Sequence, residues 1–104
     1  MRLLAALAVL TLPVLASADE PTHILLKDHH FVPERLEVPA GVKFKLIVRN
    51  EGDKPSEFES FELNREKVVM PGQEITVFLG PLDAGEYKIF DDFHPETTGL
   101  IVAK

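Results

Sequence analysis

The chain has 104 residues, 17 Asp and Glu against 11 Lys and Arg, a formal net charge of -6, and no cysteine. Its length fits one hydrophobic core and not two. The acidic balance argues against nucleic acid and anionic lipid headgroups as partners, and the absence of cysteine excludes disulfides, thiolate ligands and a thiol nucleophile.

Met1-Arg2 supplies a basic start, Leu3 to Leu15 is apolar except for Thr11 and Pro13, and Ala16-Ser17-Ala18 precedes the polar Asp19-Glu20. A basic start, a short apolar run and small residues before a polar segment are the marks of a cleaved signal peptide. The expected division is a signal peptide over 1–18, cut after Ala18, and one exported domain over 19–104. The run is short for a bilayer span, so an uncleaved anchor is the weaker alternative. No cysteine follows the cleavage site, which excludes a lipoprotein.

From there the pattern is strands. His23 to Lys27 is a short apolar run, and Phe31-Val32 ends at Pro33, which has no N–H to donate and so belongs at an edge or a break. Leu36 and Val38 lead into the turn Pro39-Ala40-Gly41. The clearest strand is Val42 to Val48, where Val42, Phe44, Leu46 and Val48 alternate with Lys43, Lys45 and Ile47. Asn50 to Lys54 reads as a turn closed by Pro55. If Ser56 to Phe61 is extended, Glu57 and Glu59 share one face and Phe58 points the other way, into the core. Val68-Val69-Met70 runs into the turn Pro71-Gly72, and Ile75, Val77 and Leu79 alternate again. Gly80-Pro81 and Ala84-Gly85 bracket the next turn. No segment has a helical period. Seven or eight short strands with Pro/Gly turns predict an all-β antiparallel sandwich or barrel.

The last hairpin carries the chemistry. A strand over Glu86 to Phe90, a polar loop over Asp91 to Thr98 and a strand over Leu100 to Ala103 are expected. The loop packs Asp91, Asp92, His94 and Glu96 into six residues. Oxygen donors plus one imidazole suit Fe(II) or Mn(II) and, through the His, Cu(II) or Zn(II). A solvated acidic turn is the competing reading.

Five pieces in order carry a resemblance: F-x-P-x-x-L-x-V-P-A-G (Phe31 to Gly41), L-x-V-x-N (Leu46 to Asn50), M-P-G-Q (Met70 to Gln73), G-E-Y (Gly85 to Tyr87) and H-P-x-x-x-G-x-I-V (His94 to Val102). Together they resemble a cupredoxin, and this implies a cupredoxin-like Greek-key β-sandwich with a metal site at one end. The resemblance puts Asp91 at the position of the copper-binding Cys, Ser56 at that of the upstream His and Thr97 at that of the axial Met, and retains only His94. A type 1 blue copper centre needs the Cu–thiolate bond, so none is expected. The strings S-E-F-E-S (Ser56 to Ser60), R-E-K-V-V (Arg65 to Val69) and F-D-D-F-H (Phe90 to His94) resemble the EfeO-type, iron-permease-associated cupredoxin-like proteins of bacterial periplasms. That likeness implies a periplasmic accessory of ferrous iron uptake binding iron (Fe2+), copper or both. Its implied partner is a membrane iron permease system or its periplasmic components.

The expected metal ligands are Glu57, Glu59, Asp91 and His94, with Asp92, Glu96 and Met70 as secondary candidates. Each has an ordinary alternative: an Asx turn for Asp91, core filling for Met70, a charged strand end for the glutamates. His29 and His30 are adjacent and, in a strand, face opposite sides; one of them could form a separate surface site with His23. Two further readings stand beside the binding protein. One is a copper-dependent Fe(II) oxidase. The other is a metal-free periplasmic adaptor. No nucleophile–base pair for hydrolysis is visible.

Overall fold

The computed structural model describes residues 20–104; the expected signal peptide lies outside the described residues. Nine strands follow in order: β1 (Thr22–Lys27), β2 (His30–Val32), β3 (Arg35–Val38), β4 (Phe44–Asn50), β5 (Ser56–Ser60), β6 (Arg65–Val69), β7 (Glu74–Leu79), β8 (Gly85–Asp91) and β9 (His94–Ala103). They form a four-stranded sheet, β2-β1-β4-β7, and a five-stranded sheet, β3-β9-β8-β5-β6. Alternation in β4 buries Phe44, Leu46 and Val48 against the opposite sheet, while Lys45 and Arg49 stay in water. Val42 falls just outside this strand and is exposed. Phe31 and Phe58 meet edge to face in the core, ring centroids 6.5 Å apart, a geometry that aromatic quadrupoles favour.

The sheets are not purely antiparallel, as the strand spacing suggested. β1 runs parallel to β4, and β3 runs parallel to β9. The cause is the break after β2. Pro33 cannot extend the hairpin ladder, and the chain crosses to the second sheet. There β3 lies against the C-terminal strand, with Arg35 opposite Leu100 and Val38 opposite Ala103. The short β2 brings the count to nine rather than seven or eight.

The last hairpin also differs from expectation. The loop predicted over Asp91 to Thr98 shrinks to a turn at Asp92 and Phe93, and β9 resumes at His94. Asp91 Oδ1 accepts a hydrogen bond from Phe93 N at 3.0 Å and closes that turn. Asp91 pairs with His94, but Phe90 pairs with Thr98, so the ladder skips Pro95, Glu96 and Thr97. Proline's missing N–H explains why pairing lapses there. At the other end of the sandwich, Gly80 follows β7 with φ +90°, and a Cβ on it would lie 2.6 Å from Val42 O. Glycine is required for that close approach.

Candidate metal centre

The residues expected to form one site divide between the two faces of the five-stranded sheet. Phe58 of β5 sits opposite Asp91 of β8, and partners across a ladder share a face. That face is the core side, because Phe58 is fully buried in the core. Glu57 and Glu59, one residue either side, project from the outer face. The turn after β8 then carries Asp92 to the outer side and His94 to the inner side.

On the outer face Glu57, Glu59 and Asp92 each offer a carboxylate oxygen within 4.8 Å of the other two. Glu57 and Glu59 are each only 9 % exposed. Asp92 N donates to Glu57 O at 3.0 Å, which ties the turn to β5. Phe90 pairs with Glu59 and packs on Phe61, centroids 5.1 Å apart, forming an aromatic wall beside the carboxylates. None of the ion pairs among the described residues includes the three acids. Glu59 Oε2 is buried and has no hydrogen-bond partner. Burial, reinforced by Glu66 across from Glu59, by a side-chain hydrogen bond with Glu59 and by Asp92, pushes the Glu57 carboxyl from 4.5 up to about 7. Burial, with Asp92 and Glu66 next in weight, raises Glu59 as well. Charge has been gathered here without a countercharge.

The inner cluster is the opposite case. Asp91 is 2 % exposed, yet its oxygens are fully engaged. Oδ1 accepts from Glu57 N at 2.9 Å and from Phe93 N at 3.0 Å, and Oδ2 lies 3.0 Å from His94 Nδ1. Burial alone would raise this carboxyl. The bonds from Glu57 N, the Ser56 hydroxyl, His94 and Phe93 N outweigh it and hold Asp91 below its ordinary value. Beside the pair lies a cavity of about 200 Å³ bordered by His29, Asn50, Ser56, Asp91 and His94. Thr97 is fully buried, and its Oγ1 donates to His29 O at 2.8 Å. Glu96 is exposed. Met70 is half exposed at its turn and borders neither cluster.

A sequence profile of the cupredoxin-like domain matches residues 1–103. The chain belongs to the cupredoxin-like family. It is 50% identical over 80 residues to an uncharacterized protein of Rickettsia prowazekii (strain Madrid E), covering 76% of this chain and 64% of that protein. The chain thus spans less than two thirds of that relative's length. Among solved structures it is similar to a purple cupredoxin from Nitrosopumilus maritimus (TM-score 0.63, 20% identity, 79% of this chain and 98% of that one). It is also similar to amicyanin from Paracoccus versutus (TM-score 0.66, 14% identity, 86% of each chain). An amicyanin variant with Cu(I) gives a TM-score of 0.65 at 17% identity, over 86% of this chain and 87% of that one. At these identities the likeness shows the fold.

The residues do not fit a type 1 copper centre. The chain has no Cys. Asp91 uses its oxygens to hold the hairpin. His94 Nδ1 is taken by Asp91, and Thr97 is turned away to a backbone carbonyl. The inner end of the last hairpin closes a hydrogen-bond network.

Two participants escaped the sequence reading. The sequence pattern places Asn50 at the start of a turn. Its buried side chain donates to Lys54 O at 2.8 Å and Val69 O at 2.9 Å and accepts from Gly52 N at 2.9 Å, clamping the 50–54 turn to the end of β6. Strand alternation would put His29 and His30 on opposite faces, but His29 is not in a strand. It lies instead in the turn between β1 and β2 at φ 63°, its ring 5.1 Å from that of His94. The tight hairpin of β1 and β2 was the signal that could have placed it there.

Proposed function

We propose that this cupredoxin-like protein works in the periplasm as a metal-binding accessory of ferrous iron uptake, holding Fe(II) on Glu57, Glu59 and Asp92. The observation that carries the reading is the buried, unpartnered Glu59 Oε2 inside a triad of carboxylates within 4.8 Å of one another. An unsatisfied buried carboxylate oxygen is costly, and a hard divalent cation would supply both the missing partner and the missing charge. Carboxylate oxygens suit hard divalent cations, and the likeness to iron-uptake proteins is what favours Fe(II) among them. The resemblance of the three sequence strings to EfeO-type proteins supports iron uptake and the periplasm, and it points to an iron permease system as the partner. Since oxygen ligands favour Fe(III) over Fe(II), the same site would ease oxidation of its cargo if an electron acceptor were at hand.

The test is an anaerobic titration of the protein with Fe(II), and with Mn(II) as a stable surrogate, by calorimetry. One ion should bind, and Glu59→Gln should weaken it by about tenfold or more, since even supporting residues of a metal site cost that much. Equal binding by wild type and Glu59→Gln rules the triad out. No heat with either ion would favour the metal-free adaptor.

A further inference from the structure

We propose that the groove along the β6–β7 edge, with Phe78 at its centre and Lys43, Lys45 and Arg65 around it, is a docking site for an acidic protein segment that carries an apolar side chain. β7 is the last strand of the four-stranded sheet and β6 the last of the five-stranded one, so each leaves an edge open. Phe78 stands on the outer face of β7 and is 64 % exposed. Beside it lies a groove of about 400 Å³, bordered by Phe78, Lys43, Lys45, Arg65 and Gly80. Gly80 lies against Val42, which is exposed as well. Exposed apolar side chains rimmed by polar ones mark interaction surfaces. Aromatic anchors with a polar rim are the usual anatomy of such surfaces.

The charge of the groove selects the partner. Among the described residues no carboxylate borders it. None of the ion pairs among those residues includes Lys43, Lys45, Arg65 or Lys67. Arg65 is held, but by neutral groups. Its Nε and Nη2 donate to Phe78 O at 3.3 and 3.0 Å, and its Nη1 donates to Leu63 O and Asn64 O at 3.1 and 3.0 Å. Carbonyls orient the guanidinium without cancelling its charge. Lys45 pairs with Phe78 across the ladder, and its Nζ lies 5.9 Å from the ring centroid, within cation–π reach. Positive charge is thus gathered in one place on a chain whose net charge is -6. A segment bearing carboxylates would neutralise it, and an apolar side chain of that segment would cover Phe78. An anionic bilayer fits less well. A broad surface meets the whole chain and its net negative charge, whereas a narrow segment meets only the groove. A second copy adding a strand to β7 also fits less well. Thr76 O and Phe78 O, which would receive it, already accept from Lys67 Nζ at 3.5 Å and Arg65 Nη2 at 3.0 Å, and a covered edge resists strand addition.

The site is independent of the iron reading, which rests on the outer carboxylates. The isotope-labelled full-length protein is titrated with a short synthetic peptide alternating Glu and Leu, and amide chemical shifts are followed. The shifts should centre on Lys43, Lys45, Phe78 and Gly80, and binding should weaken as salt rises. Phe78→Ser should weaken the peptide about tenfold or more, as for an aromatic anchor; Phe78 is exposed, so folding is preserved. Lys45→Gln should chiefly reduce the salt dependence. Val32→Ser, at an exposed position on the opposite edge of the same sheet, should bind as wild type, and so should Glu59→Gln. Absence of binding, shifts centred elsewhere, or unchanged affinity in Phe78→Ser overturns the assignment. Equal binding of a peptide with Gln in place of Glu does the same. Binding of phosphatidylglycerol vesicles through Phe78 would reassign the groove to a membrane. A wild-type dimer that Phe78→Ser dissolves, measured by sedimentation, would reassign it to a second copy.

Discussion

Glu59 and Asp91 are neighbours on adjacent strands, both carboxylates and both almost wholly buried, at 9 % and 2 % exposure. They illustrate opposite ways to keep a charge in a protein. Asp91 faces inward and is met by backbone N–H groups of Glu57 and Phe93 and by the His94 ring. Glu59 faces outward toward other acids and has an oxygen that nothing meets. A carboxylate supplied with donors stabilises the fold that supplies them; one pressed against like charges destabilises it until a cation arrives. The last hairpin uses its inner carboxylate as structure and carries its unbalanced charge on the outside.

The harshest way to break this contrast is to remove the wall between the two. Phe58 lies between Glu57 and Glu59 in sequence and opposite Asp91 in the ladder. Phe58→Ala should cost about 3–5 kcal/mol, as for a buried aromatic cut to alanine. Urea unfolding measures it, and the outer triad should lose Mn(II) affinity with it. A variant that keeps Mn(II) binding with that loss of stability would show that the outer triad does not depend on the core behind it.

Asp91→Ala is next. It strips partners from two buried N–H groups and from His94, at roughly 2–4 kcal/mol, allowing 1–3 kcal/mol for each donor left bare and some solvation by water. Glu59→Gln should act in the opposite direction and raise the melting temperature of the metal-free protein near pH 8, because it removes a charge that has no partner. Two substitutions of buried carboxylates with opposite signs are the sharpest form of the comparison. Destabilisation by both would mean that Glu59 has a cationic partner in the folded protein.

How much of this was readable beforehand follows from which physics is local. Alternation in β4 and the outward pairing of Glu57 and Glu59 about Phe58 depend on a period of two and needed no tertiary knowledge. The fold came from five motif pieces in order. The partition of the site did not come, because Asp91, Asp92 and His94 are sequence neighbours whose faces are set by a two-residue turn. That turn's length is fixed by a hydrogen bond from Phe93 N to Asp91. A longer loop would have let all the candidates converge. His29 was hidden for a related reason: alternation assumes a strand, and φ 63° is not one. Asn50 looks like any turn residue until Val69 O, nineteen positions on, is known to accept from it.

The smallest expected effect is a pH dependence, and its sign differs between the two carboxylates. Asp91 titrates below its ordinary 3.8 in the folded protein. Its contribution is present above that value and is lost as pH falls through the folded value. Glu57 titrates at about 7 folded against 4.5 ordinarily. Between those values the unfolded chain releases a proton that the folded one retains, so stability falls as pH rises from 4.5 to 7 and stays low above. The metal-free protein should therefore be most stable in mildly acid solution, between the two windows, rather than near neutrality. Thermal melts from pH 3 to 8 test this. Glu59 is raised too, so the alkaline limb should shrink in Glu57→Gln and flatten when Glu59→Gln is added, and it should flatten in wild type when Mn(II) occupies the triad, since a cation replaces the proton. The acid limb should be unmoved by either. An alkaline limb that persists when both Glu57→Gln and Glu59→Gln are in place would assign it to another group and leave the outer carboxylates less strained than their geometry says.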